Sequence, residues 1–197
     1  MADAAAPLSS FAADRGLEAL PHFEAGPLTP LLVESGAGRI APAARGALGH
    51  GFEGTIGRLS YKRNGTFRFD VALTEVPLST AFAPRLFCVR RGRRTSDDEY
   101  YGFEARHSRL WTESIALNQR YSILTSPYQD ENWLRQLFSP AFVEWLAAEA
   151  PPHFSFELAY GSLLGSCEAG DAVAADLADL AAATVRVAAR IAGECEE

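Results

Sequence analysis

A chain of 197 residues with 48% apolar and 22% charged residues has the make-up of a folded globular protein and excludes a disordered one. Its formal net charge of −7 argues against non-specific nucleic-acid binding, where a basic field supplies most of the affinity. No apolar run approaches the roughly 20 residues that cross a bilayer, and Met1-Ala2-Asp3 opens neither a basic nor an apolar leader, so the expected compartment is the cytoplasm.

Residues 1 to 25 combine Ala, Pro, Gly and polar residues without sustained periodicity. That predicts a poorly ordered tail, with a short helical turn near Phe11 to Leu20, ahead of a single domain over 26–197. Leu28-Thr29-Pro30-Leu31-Leu32-Val33 is apolar, but Pro30 counts against a central strand. The segment reads as a lead-in packed on the domain edge, followed by a Gly-rich stretch through Gly51.

The clearest local signal is a hairpin in which Thr55 to Lys62 and Thr66 to Val76 flank Arg63-Asn64-Gly65. In the second strand Phe67, Phe69, Val71 and Leu73 recur at period two. A two-residue Asn64-Gly65 turn sets Ser60 and Arg58 against Phe69 and Val71. A three-residue loop, with Gly65 left-handed in a bulge, instead pairs Tyr61 with Phe67 and Leu59 with Phe69. The second register matches apolar with apolar, so the bulged hairpin is expected.

Pro77 and Pro84 bracket a loop, Leu86 to Val89 reads as a strand, and Arg90 to Glu99 as a solvated polar excursion. Strand-like segments follow at Tyr100 to Ala105 and Gln119 to Leu124. Ser126-Pro127 and Ser139-Pro140 each offer a serine N-cap with proline at the first helical position, and Gln129 completes a capping box with Ser126. The first helix would present Trp133, Leu134, Leu137 and Phe138. The second would present Phe142, Val143 and Leu146 before Pro151-Pro152 stops it.

Phe154, Phe156, Leu158 and Tyr160 alternate as a strand, and Gly161 with Gly165 suggests a turn and a short return strand. A final helix from about Asp171 to Ala192 carries Val173, Leu177, Leu180, Thr184, Val187 and Ile191 on one stripe. Packing of that stripe on the chain's own sheet is expected in preference to an oligomer seam. The fold class is therefore α+β: a mainly antiparallel twisted sheet with the two short Ser-Pro-capped helices and the long C-terminal helix on one face.

Catalytic signatures are lacking. Gly161-Ser162-Leu163-Leu164-Gly165 does not follow the G-x-S-x-G order of a nucleophile elbow and reads as a hairpin turn. Cys167 lies beside Glu168, whose charge raises a thiol's pKa instead of activating it. The cysteines (Cys88, Cys167, Cys195) are odd in number and widely spaced, which gives neither a disulfide framework nor a zinc pattern; Cys88 reads as a small core residue. His22, His50, His107 and His153 are dispersed, with no metal-ligand spacing. Asp97-Asp98-Glu99 and Asp130-Glu131 read as loop and helix-start charge, and Gly36-Ala37-Gly38 is too short for a phosphate loop. No catalytic residue, metal or cofactor is assigned.

The one binding candidate is the arginine cluster Arg85, Arg90, Arg91, Arg93 and Arg94, followed by Tyr100, Tyr101 and Phe103. Arginine beside exposed aromatics suits single-stranded nucleic acid or anionic head groups. The competing reading is a solvated loop whose charge is cancelled by Asp97, Asp98 and Glu99. Lys62 is the only lysine, and the abundance of Arg and Ala reads as base-composition bias, which weakens the signal from arginine.

From Asn118-Gln119-Arg120-Tyr121-Ser122-Ile123 through Ser139-Pro140-Ala141-Phe142-Val143-Glu144-Trp145-Leu146 the sequence resembles an uncharacterised, largely actinobacterial family. Arg45 to Gly54 is similar to that family's Gly-rich first strand pair. The resemblance spans roughly residues 28 to 192 and its motifs are structural, so it implies a fold and no site. Many relatives place membrane-spanning helices ahead of this domain; none is present here, so membrane attachment is not carried over.

The leading functional expectation is a non-enzymatic binding or scaffold module acting through protein contacts. Behind it stand a small hydrolase or transferase with a dispersed site, and anionic-lipid or nucleic-acid binding through the Arg85–Arg94 loop.

Overall fold

The computed structural model describes residues 5–36, 38–62, 66–78, 84–92, 107–169 and 176–193. Within them one antiparallel sheet is built from β1 (Glu18–Leu20), β2 (Phe23–Glu24), β3 (Arg39–Gly49), β4 (Phe52–Lys62), β5 (Thr66–Glu75), β6 (Leu86–Arg90), β7 (Ser108–Leu110), β8 (Tyr121–Thr125), β9 (Phe154–Ala159) and β10 (Ser162–Glu168). The strand order is β1-β3-β4-β5-β10-β9-β6-β8-β7, with β2 also paired to β3. Helices α1 (Ala5–Arg15), α2 (Pro30–Glu34), α3 (Ile115–Arg120), α4 (Glu131–Leu137), α5 (Pro140–Ala148) and α6 (Leu177–Gly193) complete the α+β architecture.

Side-chain alternation along the strands separates two apolar layers. One face presents Phe154, Phe156, Leu158 and Leu163 to α1, α4, α5 and α6, which contribute Leu8, Trp133, Phe142 and Leu180 to a shared core. The other face carries Leu59, Phe69, Val71 and Leu73 beneath Leu31 and Leu32 of α2. Phe87, Val89, Leu124 and Ala159 form a small third cluster. The terminal helix lies across the sheet as expected, with Leu177, Leu180, Thr184, Val187 and Ile191 all buried. It comes so close to β10 that a Cβ at Gly165 would overlap the Thr184 side chain. Val173 and the expected helix start at Asp171 lie outside the described residues; Asp176 Oδ1 accepts the N–H of Ala178 at 2.9 Å and opens the helix there.

The β4–β5 pairing has the apolar register, Tyr61 with Phe67 and Leu59 with Phe69. Arg63, Asn64 and Gly65, and with them the expected bulge, lie outside the described residues.

Four expectations are corrected. Residues 5–24 are not a tail: Leu8 and Ala12 of α1 are buried in the main core, and β1 and β2 extend the sheet through β3. Strands this short have no stable existence alone and depend on the edge that β3 offers, so no local pattern announces them. The segment around Pro30 is a short helix with proline at its first position and Leu31 and Leu32 fully buried. Helix α4 starts at Glu131, not at Ser126: Asp130 Oδ1 accepts the N–H groups of Asn132 at 2.7 Å and Trp133 at 3.0 Å, while Ser126 heads a turn. Finally, Gln119 and Arg120 end helix α3 and do not begin a strand; β8 starts at Tyr121. Ser139 and Pro140 open α5 as expected, although the Ser139 side chain makes no capping bond. The strand expected at Tyr100 to Ala105 lies outside the described residues.

Candidate functional site

Helix α3 and the strand before it build one wall of a groove. Asn118 fixes the connecting segment by imitating a backbone pair: its Oδ1 accepts the Thr112 N–H at 3.1 Å and its Nδ2 donates to the Thr112 carbonyl at 2.6 Å. Ser114 caps α3 by accepting the N–H of Leu117 at 3.2 Å. Arg120, the last residue of α3, donates to the carbonyl of Ala147 and ties this wall to α5. Residues of α4 and α5 form the opposite wall, and Arg190 of α6 donates to the carbonyl of Leu137 at 3.4 Å and holds the end of α4.

The groove between these walls encloses about 1110 Å³. Leu110, Leu134, Phe138 and Val143 supply its apolar lining, and Arg109, Glu113 and Glu144 are among its charged residues. Trp111 also lines it and is 63% exposed, whereas Trp133 and Trp145 are 6% and 5% exposed. Ile115 and Tyr128, the first on α3 and the second just after β8, are exposed as well.

The expected arginine cluster is divided. Arg85 precedes β6, stacks 4.5 Å over the Tyr160 ring and donates to its hydroxyl. Arg90 and Arg91 lie at the far end of that strand, roughly 17 Å away at about 3.3 Å per residue. Arg90 is stacked over Tyr121 at 5.5 Å, and Arg91 Nε donates to the Tyr121 carbonyl at 3.2 Å. Arg93, Arg94, Tyr100, Tyr101 and Phe103 lie outside the described residues. Arg109 and Trp111, which the sequence reading did not single out, join Arg91: both guanidiniums rest against the indole, at 6.0 Å for Arg91 and 5.1 Å for Arg109.

The other candidates for chemistry do not converge. His22, His50 and His153 are exposed, and His107 packs edge-on to Phe87 at 5.1 Å. Among the described residues no group of three or more His, Cys, Asp or Glu side chains could hold a metal ion. Cys167 is pushed up to about 12 by burial first and by the charges of Asp70 and Asp179 next, so the thiol stays protonated at neutral pH. Its sequence neighbour Glu168 is not the cause. Burial likewise raises Cys88 well above the ordinary thiol range. Ser162 opens β10 directly after the Tyr160-Gly161 turn and is buried.

No family model matches the chain, and no curated protein matches it. Among solved structures, the fold is similar to the crystal structure of the mycobacterial trehalose monomycolate transport factor A, TtfA, with a TM-score of 0.61 over 98% of this chain and 95% of that one. The two are 10% identical, so the likeness is one of fold. It is compatible with the resemblance to a largely actinobacterial family. The residues carrying that resemblance are structural in this fold: Asn118 braces the segment before α3, and Tyr121 enters the core as β8 begins.

Proposed function

We propose that this chain is a non-enzymatic binding module acting through protein contacts, with the groove between α3, α4 and α5 as its docking surface. The observation that carries the reading is a groove of about 1110 Å³ with an apolar lining and an exposed tryptophan at its wall. The occupant we assign is an amphipathic helix of a partner protein. A helix is a cylinder some 10–12 Å across, so the volume accepts roughly two turns, enough for apolar anchors at i, i+3, i+4 and i+7. Strand addition is the weaker mode, because edge strand β7 has three residues and offers few main-chain bonds.

The solved structure similar in fold is described as a transport factor, which is in keeping with a binding role. Among the described residues no helix is long and apolar enough to cross a membrane. Cys88 and Cys167 are free thiols, which fits a reducing compartment, and we place the module in the cytoplasm.

The test is crosslinking and capture from cells expressing the chain at its normal level, with Val143→Glu/Ala147→Glu as the comparison. Both positions line the groove and are half-buried. A specific partner should be retained by the unmodified chain and lost by the double variant. Equal capture by both, or no specific partner, would sink the proposal.

A further inference from the structure

At the β6–β8–β7 end of the sheet, two arginines converge on one exposed ring from opposite sides of β8 in the strand order. Arg91 follows β6, whereas Arg109 belongs to edge strand β7 and Trp111 comes directly after it. Consecutive residues of β8 aim the two guanidiniums: the Tyr121 carbonyl accepts from Arg91 Nε at 3.2 Å, and the Ser122 hydroxyl accepts from Arg109 Nη2 at 2.8 Å. Both anchors are neutral. Each guanidinium has five N–H donors, so most of its donors remain for something else. Among the described residues neither arginine has a carboxylate within ion-pair distance, in a chain whose net charge is −7.

Two cations held against one indole repel each other, and contact with an aromatic face is a weak attraction at an exposed site. A bound anion removes that repulsion. A phosphate group fits best, because it brings up to two charges and three acceptor oxygens to donors arranged as two planar forks. The exposed face of Trp111 then offers a surface for whatever carries the phosphate.

We propose that Arg91, Arg109 and Trp111 form a binding site for a phosphate-bearing ligand, the phosphate on the guanidiniums and its carrier against the indole. The proposal shares Arg109 and Trp111 with the wall of the groove but rests on a different observation, the two guanidiniums gathered on one ring. The phosphate could belong to a soluble ester or to a lipid head group, and the experiment separates these sources.

Trp111 is itself the reporter, since Trp133 and Trp145 are buried. Its emission would be followed while the chain is titrated with inorganic pyrophosphate in one arm. The second arm uses vesicles of phosphatidylcholine with and without phosphatidylglycerol. At least one probe should bind, and affinity should fall by about tenfold or more in Arg91→Gln/Arg109→Gln and on raising the salt, while Arg39→Gln, on β3 toward the other end of the sheet, stays unchanged. Binding of pyrophosphate assigns a soluble ester, and binding only to the anionic vesicles assigns a head group. Iodide quenching of the unmodified chain tests the site without any substitution: a saturating probe should shield Trp111 from iodide. Failure of both probes to bind, unchanged iodide quenching at saturation, or full affinity in a folded double arginine variant would each overturn the proposal.

Discussion

The carboxylate of Glu157, in the middle of the sheet, accepts the backbone N–H of Leu31 at 2.9 Å across 126 residues of sequence. It stands in for a local cap. Thr29, the N-cap of α2, makes no side-chain capping bond, and its hydroxyl is buried without a partner. A strand side chain thus does for this helix what the residue before it does not, and the bond fixes Leu31 and Leu32 against Leu59, Phe69 and Val71.

Two substitutions with opposite signs follow from that arrangement. Glu157→Ala removes the acceptor and leaves a buried N–H unpaired, which should cost about 1–3 kcal/mol in urea unfolding. Thr29→Val replaces an unpartnered buried hydroxyl by a methyl group of similar shape and should be neutral or stabilising. A neutral Glu157→Ala, or a Thr29→Val that loses more than about 1 kcal/mol, would remove this account of α2.

The approach of α6 to β10 is testable as a coupled pair. Gly165→Ala should destabilise by about 1–3 kcal/mol, because the new methyl group meets Thr184, whose hydroxyl is engaged with the Leu180 carbonyl at 2.8 Å. Thr184→Ala should recover part of that loss. A double-mutant cycle is expected to give a coupling energy of about 1 kcal/mol or more, and simple additivity would count against the contact.

The β4–β5 register was legible because Phe67, Phe69, Val71 and Leu73 permit only one pairing that buries apolar side chains on both strands. The flanking β3 was not: Arg39–Gly49 is mostly Gly, Ala and Pro, with Ile40 its one β-branched residue and no aromatic, and it is held by β4 on one side and β1 and β2 on the other. One tight hairpin turn was hidden in a similar way: His50 takes a left-handed φ of 49° directly before Gly51, where Asn or Asp is the usual signal, whereas Gly161 announced the turn that Tyr160 enters at a φ of 53°. For the candidate site, Arg91 was visible in the sequence and its companions were not. Arg109 and Trp111 reach it only because β6 and β7 flank β8, a neighbourhood that chain order does not display. Arg85 failed in the opposite sense, since nearness in sequence became separation along an extended strand.

Helix α4 offers a direct choice between two caps. Asp130→Ala should cost about 0.5–2 kcal/mol, because its carboxylate serves two N–H groups of the first turn. Ser126→Ala should stay within about 0.5 kcal/mol, as expected for a turn residue away from the helix start. The reverse ranking in thermal or urea unfolding would place the cap at Ser126 after all.

Alkaline pH should expose the buried titratable groups. Tyr121 is pushed up from 10.0 to about 12, by burial first and by nearby Cys88 second, with the Arg90 charge acting in the opposite direction. Cys167 moves from 9.0 to about 12, and Cys88 moves in the same direction. All three groups bind their proton more tightly in the folded chain than in the unfolded one. Their contribution is intact below the unfolded values of 9.0 and 10.0 and is lost progressively as the pH climbs toward about 12. Urea midpoints should therefore fall from pH 8 to pH 10.5, and less steeply in Cys167→Ala, which deletes one of these groups. The same burial predicts that Cys88 and Cys167 resist a thiol reagent at pH 8 until the chain is unfolded, with Cys195→Ser as the background. Rapid labelling of the folded Cys195→Ser chain, or identical pH slopes with and without Cys167, would show these thiols to be open to solvent.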